Sequence, residues 1–180
     1  NAEVTLIVGE TNYKAKAQNG VVGLADVLPL GMYGEKEFGV SVTDKKETYN
    51  VTVKALVVTM TITTADQYAN WITVAKACEQ SATLWGGYFR LGANITATSM
   101  VMFNRGKTDG TEGFKGVFDG CGYIVDGLNR SSWDSNSFVT TMTGSGILKN
   151  ISFTNVKITG AGNFLCSGGK GTIENVFVQY

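Results

Sequence analysis

Apolar and polar residues alternate in four short runs over the first third of the chain: Val4, Leu6 and Val8; Tyr13, Ala15 and Ala17; Phe38, Val40 and Val42; Tyr49, Val51 and Val53. A period of two turns every second side chain to one face, so each run predicts a half-buried β-strand. Turn residues separate the runs at Gly9-Glu10, Asn19-Gly20, Leu30-Gly31 and Asp44-Lys45-Lys46. That spacing predicts a small antiparallel sandwich over residues 1–57.

The period then changes. Thr64 with Gln67 three places on forms a capping box, and Tyr68, Trp71, Ile72, Ala75 and Cys78 recur at helical spacing. One amphipathic helix over about 64–80 is expected. Its place between two strand-rich regions suggests a role: a stack of coils exposes apolar rungs at its end, and a helix laid across that end seals them.

From Tyr88 onward, short apolar scraps alternate with Asp-Gly and Gly-x-Gly elements, most densely from Phe114 to Leu128. Each scrap is long enough for one short strand, and each glycine element turns the chain sharply. Gly122-Tyr-Ile-Val-Asp126, Gly146-Ile-Leu-Lys-Asn150 and Gly171-Thr-Ile-Glu-Asn175 share one pattern at offsets of 24 and 25 residues. Repeats of this length made of short strands predict a parallel β-helix over residues 58–180, in which no coil buries its inner face without the next. Inward positions are then Ile151 and Phe153, Val156 and Ile158, and Val176 and Val178, while Asp126, Asn150 and Asn175 form a ladder at one corner. The fold class is all-β with one capping helix.

Two resemblances sharpen these expectations. The Val-Gly-Glu-Thr-Asn-Tyr hairpin after Ile7, Gly-Met-Tyr-Gly at Gly31–Gly34 and Glu-Thr-Tyr-Asn-Val-Thr-Val at Glu47–Val53 resemble a bacterial immunoglobulin-like domain. The segment Phe114–Leu128 is similar to the F-x-G-x-F-D-G-x-G-x-x-I-x-x-L coil of bacterial surface proteins carrying GLUG repeats. Such proteins adopt a right-handed β-helix like that of pectin lyases. Thr61–Tyr68 resembles that family's capping-helix start and Tyr88–Ile95 its first rung, whereas Gly162–Ser167 departs from the Gly-Leu-x-Gly repeat. The resemblance implies a surface or adhesion module in a longer multi-domain chain, located outside the cell or on its surface.

Composition narrows the chemistry. Apolar residues make up 43% of the 180, enough for a real core, and only 17% are charged. Six basic and 7 acidic residues up to position 57 leave 9 and 8 after it, so neither part carries the basic footprint of a nucleic-acid or anionic-membrane binder. The longest uncharged apolar run, Ala55–Ile62, is too short to span a bilayer. Cys78, Cys121 and Cys166 lack C-x-x-C spacing and are expected to be small packed residues, with a Cys121–Cys166 bridge as the alternative. No metal or cofactor is expected.

The chain contains no histidine, which removes His-based triads, His general bases and most zinc hydrolase sites. What a coil architecture leaves open is carbohydrate chemistry. Asp119 and Asp126 are the candidate acid pair for hydrolysis, although each precedes a glycine and suits a turn. Arg90, Arg105 and Arg130 are the only arginines, and none lies beside clustered acids as a lyase would need. Asp109 and Glu112 lack the alternating spacing of a dedicated calcium loop. Trp133 with Asp134, in a loop of small polar residues, and Trp85 before Gly86-Gly87 are candidate sugar-stacking positions, although large aromatics usually bury and either ring suits covering the flank of a coil. The leading expectation is a non-catalytic module that binds a glycan or a host-surface partner. The alternative is a fragment of a pectin-lyase-type enzyme.

Overall fold

The computed structural model describes residues 2–19, 21–22, 27–44, 47–97, 110–130, 137–159 and 163–180. They fall into two compact units, Asn1–Thr59 and Met60–Tyr180.

In the first unit, strands β1 (Glu3–Val8), β2 (Thr11–Lys16), β3 (Gly34–Asp44) and β4 (Glu47–Val57) form one antiparallel sheet in the order β2-β1-β3-β4. The alternation sets the register. Leu6 lies across from Tyr13 and Val40, Val4 across from Ala15 and Val42, and Val40 across from Val51, so one face of the sheet is apolar. Val4, Leu6 and Ala17 are buried on that face, against Tyr13, Val22, Val27, Leu28, Val40 and Val42. The β4 part of the same face is open: Tyr49 and Val51 are 60% and 56% exposed. The described residues of this unit contain one sheet.

The second unit begins with β5 (Met60–Ile62) and α1 (Ala65–Glu79), the single helix among the described residues. Thr64 caps it: its hydroxyl accepts from the Gln67 N–H, and the Gln67 side chain accepts from the Thr64 N–H. Gln80 ends it with φ 48°. Tyr68, Trp71, Ile72, Ala75 and Cys78 face inward. The remaining strands are β6 (Leu84–Trp85), β7 (Tyr88–Leu91), β8 (Ile95–Thr96), β9 (Gly113–Phe114), β10 (Val117–Asp119), β11 (Ile124–Asp126), β12 (Asn129–Arg130), β13 (Val139–Met142), β14 (Ile147–Thr154), β15 (Lys157–Ile158), β16 (Cys166–Gly169) and β17 (Thr172–Val178). All their pairings are parallel, in sheets of seven, four and two strands.

Strand β14 shows how the chain turns. Its first half pairs with β10 and its second half with β11, and Asn150, at φ 54°, bends it between them. Asn175, at φ 51°, bends β17 in the same way. Asn tolerates this left-handed backbone better than other non-glycine residues. Side chains therefore stack in rows. Phe89, Phe118, Leu148 and Ile173 form one row, and Ile95, Val125, Phe153 and Val178 another. Ile151, Phe153 and Val156 are buried in the common core, with Ile158, Val176 and Val178 packed against it. Trp71 of α1 meets the rings of Phe89, Phe114, Phe118 and Phe138 in that core.

The repeat differs from the sequence expectation in one respect. Register places Val117 opposite Ile147 and Ile147 opposite Thr172, steps of 30 and 25 residues. Gly116, not Gly122, therefore corresponds to Gly146 and Gly171. The reason is steric: a Cβ at Gly116 would lie 2.2 Å from the carbonyl oxygen of Gly87, whereas one at Gly122 meets nothing within 4 Å.

Candidate functional site

A cluster of polar side chains gathers around Asp119. It closes β10 at a corner, and the register sets it between Arg90 of β7 and Lys149 of β14. Oδ1 accepts the Cys121 N–H at 2.9 Å and Nδ2–H of Asn150 at 3.1 Å. Oδ2 accepts the Tyr88 hydroxyl at 3.1 Å, with Lys149 Nζ at 3.6 Å. Burial pulls the carboxyl upward, but the Cys121 N–H, the Asn150 amide, the Tyr88 hydroxyl and the Lys149 ammonium outweigh it and hold Asp119 below the usual carboxylate value. Tyr88 moves the other way: burial, then the charge and hydrogen bond of Asp119, push its phenol up to about 12. Arg90 donates from Nε to the Thr61 hydroxyl at 3.1 Å.

Asp126 stands on β11, apart from this cluster. Its Oδ1 accepts the Thr154 hydroxyl at 2.6 Å and Nδ2–H of Asn155 at 2.7 Å, and these two bonds lower its pKa. The corner ladder therefore has a different membership from the one expected. Asn175 donates to Asn150 at 3.1 Å, Asn150 donates to Asp119, and Asp119 rather than Asp126 holds the third place. A glycosidase acid must stay protonated near neutrality. Hydrogen bonds favour the ionised form of both carboxyls, and each is bonded within its own cluster.

Trp85 is 3% exposed and pairs in register with Phe114, so its ring is core and offers no platform to a sugar. Trp133 and Asp134 lie outside the described residues, as do Arg105 and Asp109. No disulfide joins Cys78, Cys121 or Cys166. Cys78 is buried and Cys166 half-buried, but Cys121 is exposed at a corner with φ 51°, contrary to the expectation of packing for all three. Partial desolvation by its neighbours at the corner and then the Asp119 charge raise the Cys121 thiol, which disfavours the nucleophilic thiolate. No group of three or more metal-ligating side chains occurs among the described residues, and no described helix is long and apolar enough to cross a membrane.

Sequence reasoning missed Tyr88 and Lys149 as partners of Asp119. The signal was a separation of about thirty residues, one coil, which emerges once the register is known.

In comparisons with known proteins the chain matches no family model, no curated protein and no solved structure.

Proposed function

We propose that this chain is a non-catalytic extracellular module for surface attachment or adhesion, an immunoglobulin-like unit followed by a helix-capped, right-handed parallel β-helix of the GLUG and pectin-lyase-like kind. Its long flank recognises a glycan or a host-surface protein. One observation carries the reading: both oxygens of Asp119 and Oδ1 of Asp126, the nominated acids, accept hydrogen bonds that favour their ionised forms. Such carboxylates brace a scaffold and are poorly placed to donate a proton. Stacked parallel strands with tight glycine contacts supply the rigidity that a spacer or adhesive surface needs.

Two measurements on the intact protein test this. Glycan-array screening is expected to give saturable binding to at least one glycan class. Incubation with a broad polysaccharide panel, with and without calcium, is expected to release neither reducing ends nor unsaturated uronates. Turnover of any polysaccharide would replace the reading with the carbohydrate-active enzyme, and silence on the array and on cell surfaces would remove its binding half.

A further inference from the structure

Asp119 and Asp126 differ in what their second oxygen does. Both oxygens of Asp119 accept hydrogen bonds from the protein. Asp126 uses only Oδ1, which takes the Thr154 hydroxyl and the Asn155 amide, and no described residue donates to its Oδ2. Among the described residues Asp126 forms no ion pair either. One carboxylate is therefore used up inside the scaffold, while the other keeps an acceptor to offer.

That acceptor stands on the outer flank of the coils. Val125 is fully buried, so strand alternation turns Asp126 outward. Register aligns Asp126 with Thr96 on one neighbouring coil and Thr154 on the other, and the adjacent Ile95 and Phe153 are core residues, so the three polar side chains share one outer column. Rungs of such a sheet lie about 4.8 Å apart. The backbone is tied on both sides: the Ala97 N–H donates to the Asp126 carbonyl at 2.9 Å, and the Gly127 N–H to the Thr154 carbonyl at 2.9 Å. Thr96 and Asn155 are exposed, and Ile124, two residues before Asp126 on the same face, is half-buried.

This column suits a ligand rich in hydroxyls. Oδ2 of Asp126 accepts, the Asn155 amide has a second N–H and a carbonyl oxygen beyond the bond it already makes, and the Thr96 hydroxyl does either. Because the groups are held before any ligand arrives, little ordering entropy is lost on binding. An acidic sugar would set its own carboxylate against an unpaired one, which disfavours it.

We propose that Thr96, Asp126 and Asn155 form a subsite for an uncharged hexose unit of a glycan. One ring hydroxyl donates to Oδ2 of Asp126, a neighbouring hydroxyl bonds the Asn155 amide, and the apolar side of the ring lies towards Ile124. The subsite deepens the glycan reading of the flank given above and rests on it.

The test titrates the intact chain, by calorimetry, with neutral gluco-, manno- and galacto-oligosaccharides and with oligogalacturonate. Binding of at least one neutral series is expected, and none of oligogalacturonate. Asp126→Asn can keep Oδ1 for Thr154 and Asn155 and exchanges only the open acceptor for an amide, so circular dichroism should match wild type. Its affinity for the bound series should fall about tenfold or more, the range of a hydrogen bond to a charged group. Thr96→Val, which alters an exposed side chain, should weaken binding about three- to tenfold and decides the matter if Asp126→Asn does not fold. Wild-type affinity in the folded Asp126→Asn protein, or preference for oligogalacturonate, would overturn the subsite and leave the glycan reading standing. Binding of no glycan by the wild-type chain would remove both together.

Discussion

The Asp119 carboxylate gathers donors from neighbouring strands of the second unit. Four groups from two strands and a corner converge on its carboxylate, so Asp119→Asn keeps the shape but turns one acceptor into a donor facing other donors. A loss of about 1–3 kcal/mol is expected, the usual cost of leaving a buried polar group unsatisfied. Its pH signature separates this from a packing defect. The folded carboxyl titrates below its ordinary value of about 3.9. The unfolded chain therefore binds more protons in that window, so stability rises with pH, is complete above it, and is lost as pH falls through the folded pKa. Asp119→Asn should flatten this acid limb in urea-denaturation midpoints followed from pH 2.5 to 7. The same substitution should bring the Tyr88 phenol down from about 12, since the Asp119 charge follows burial among the causes that raise it. An unchanged acid limb and an unchanged phenol titration would show that the cluster stores no such linkage.

Among the elements, local signals were legible and coil lengths were not. The helix could be read because a capping box and a 3.6-residue period lie within one window, and it runs from Ala65 with Thr64 as its cap. The four runs of alternation became β1–β4 for the same reason. The coil steps of 30 and 25 residues defeated an equal-step match, because Gly116 and Gly122 are alike in sequence and differ only in which backbone approaches them. Trp85, a candidate for sugar stacking with burial as the other reading, is buried in its pairing with Phe114. Close approach also yields a contrast within the second unit. A Cβ at Gly120 would meet the Asn150 carbonyl oxygen at 2.4 Å and Ile151 at 2.5 Å, while one at Gly144 meets nothing within 4 Å. Gly120→Ala must push neighbouring coils apart and should cost about 3 kcal/mol or more. Gly144→Ala should be neutral or stabilising by about 0.4–1 kcal/mol, because it restricts only the unfolded chain. Equal thermal shifts for the two variants would contradict the close coil contact at Gly120.

At the scale of the molecule, the two units have separate cores: Val4, Leu6 and Ala17 anchor one, and a cluster reaching from Ile62 to Phe164 fills the other. Separate cores predict separate unfolding, and the distribution of tryptophan makes that measurable. All 3 tryptophans, Trp71, Trp85 and Trp133, follow Met60, so indole fluorescence reports the second unit alone. Amide exchange in β1–β4 reports the first. Ile72 is 6% exposed on the inner side of α1, where a carboxylate would sit among apolar side chains with its hydration stripped away. Ile72→Asp should destabilise the second unit by about 3 kcal/mol or more, which for a unit of this size lowers the fluorescence midpoint by roughly 10 °C. Protection in β1–β4 should remain at its wild-type level, since none of those strands shares that core. If α1 seals the first coil, its failure should propagate coil by coil through the stacked rows. A fluorescence transition matching wild type would remove the capping role from α1. Joint loss of protection in β1–β4 would show instead that the two units unfold as one.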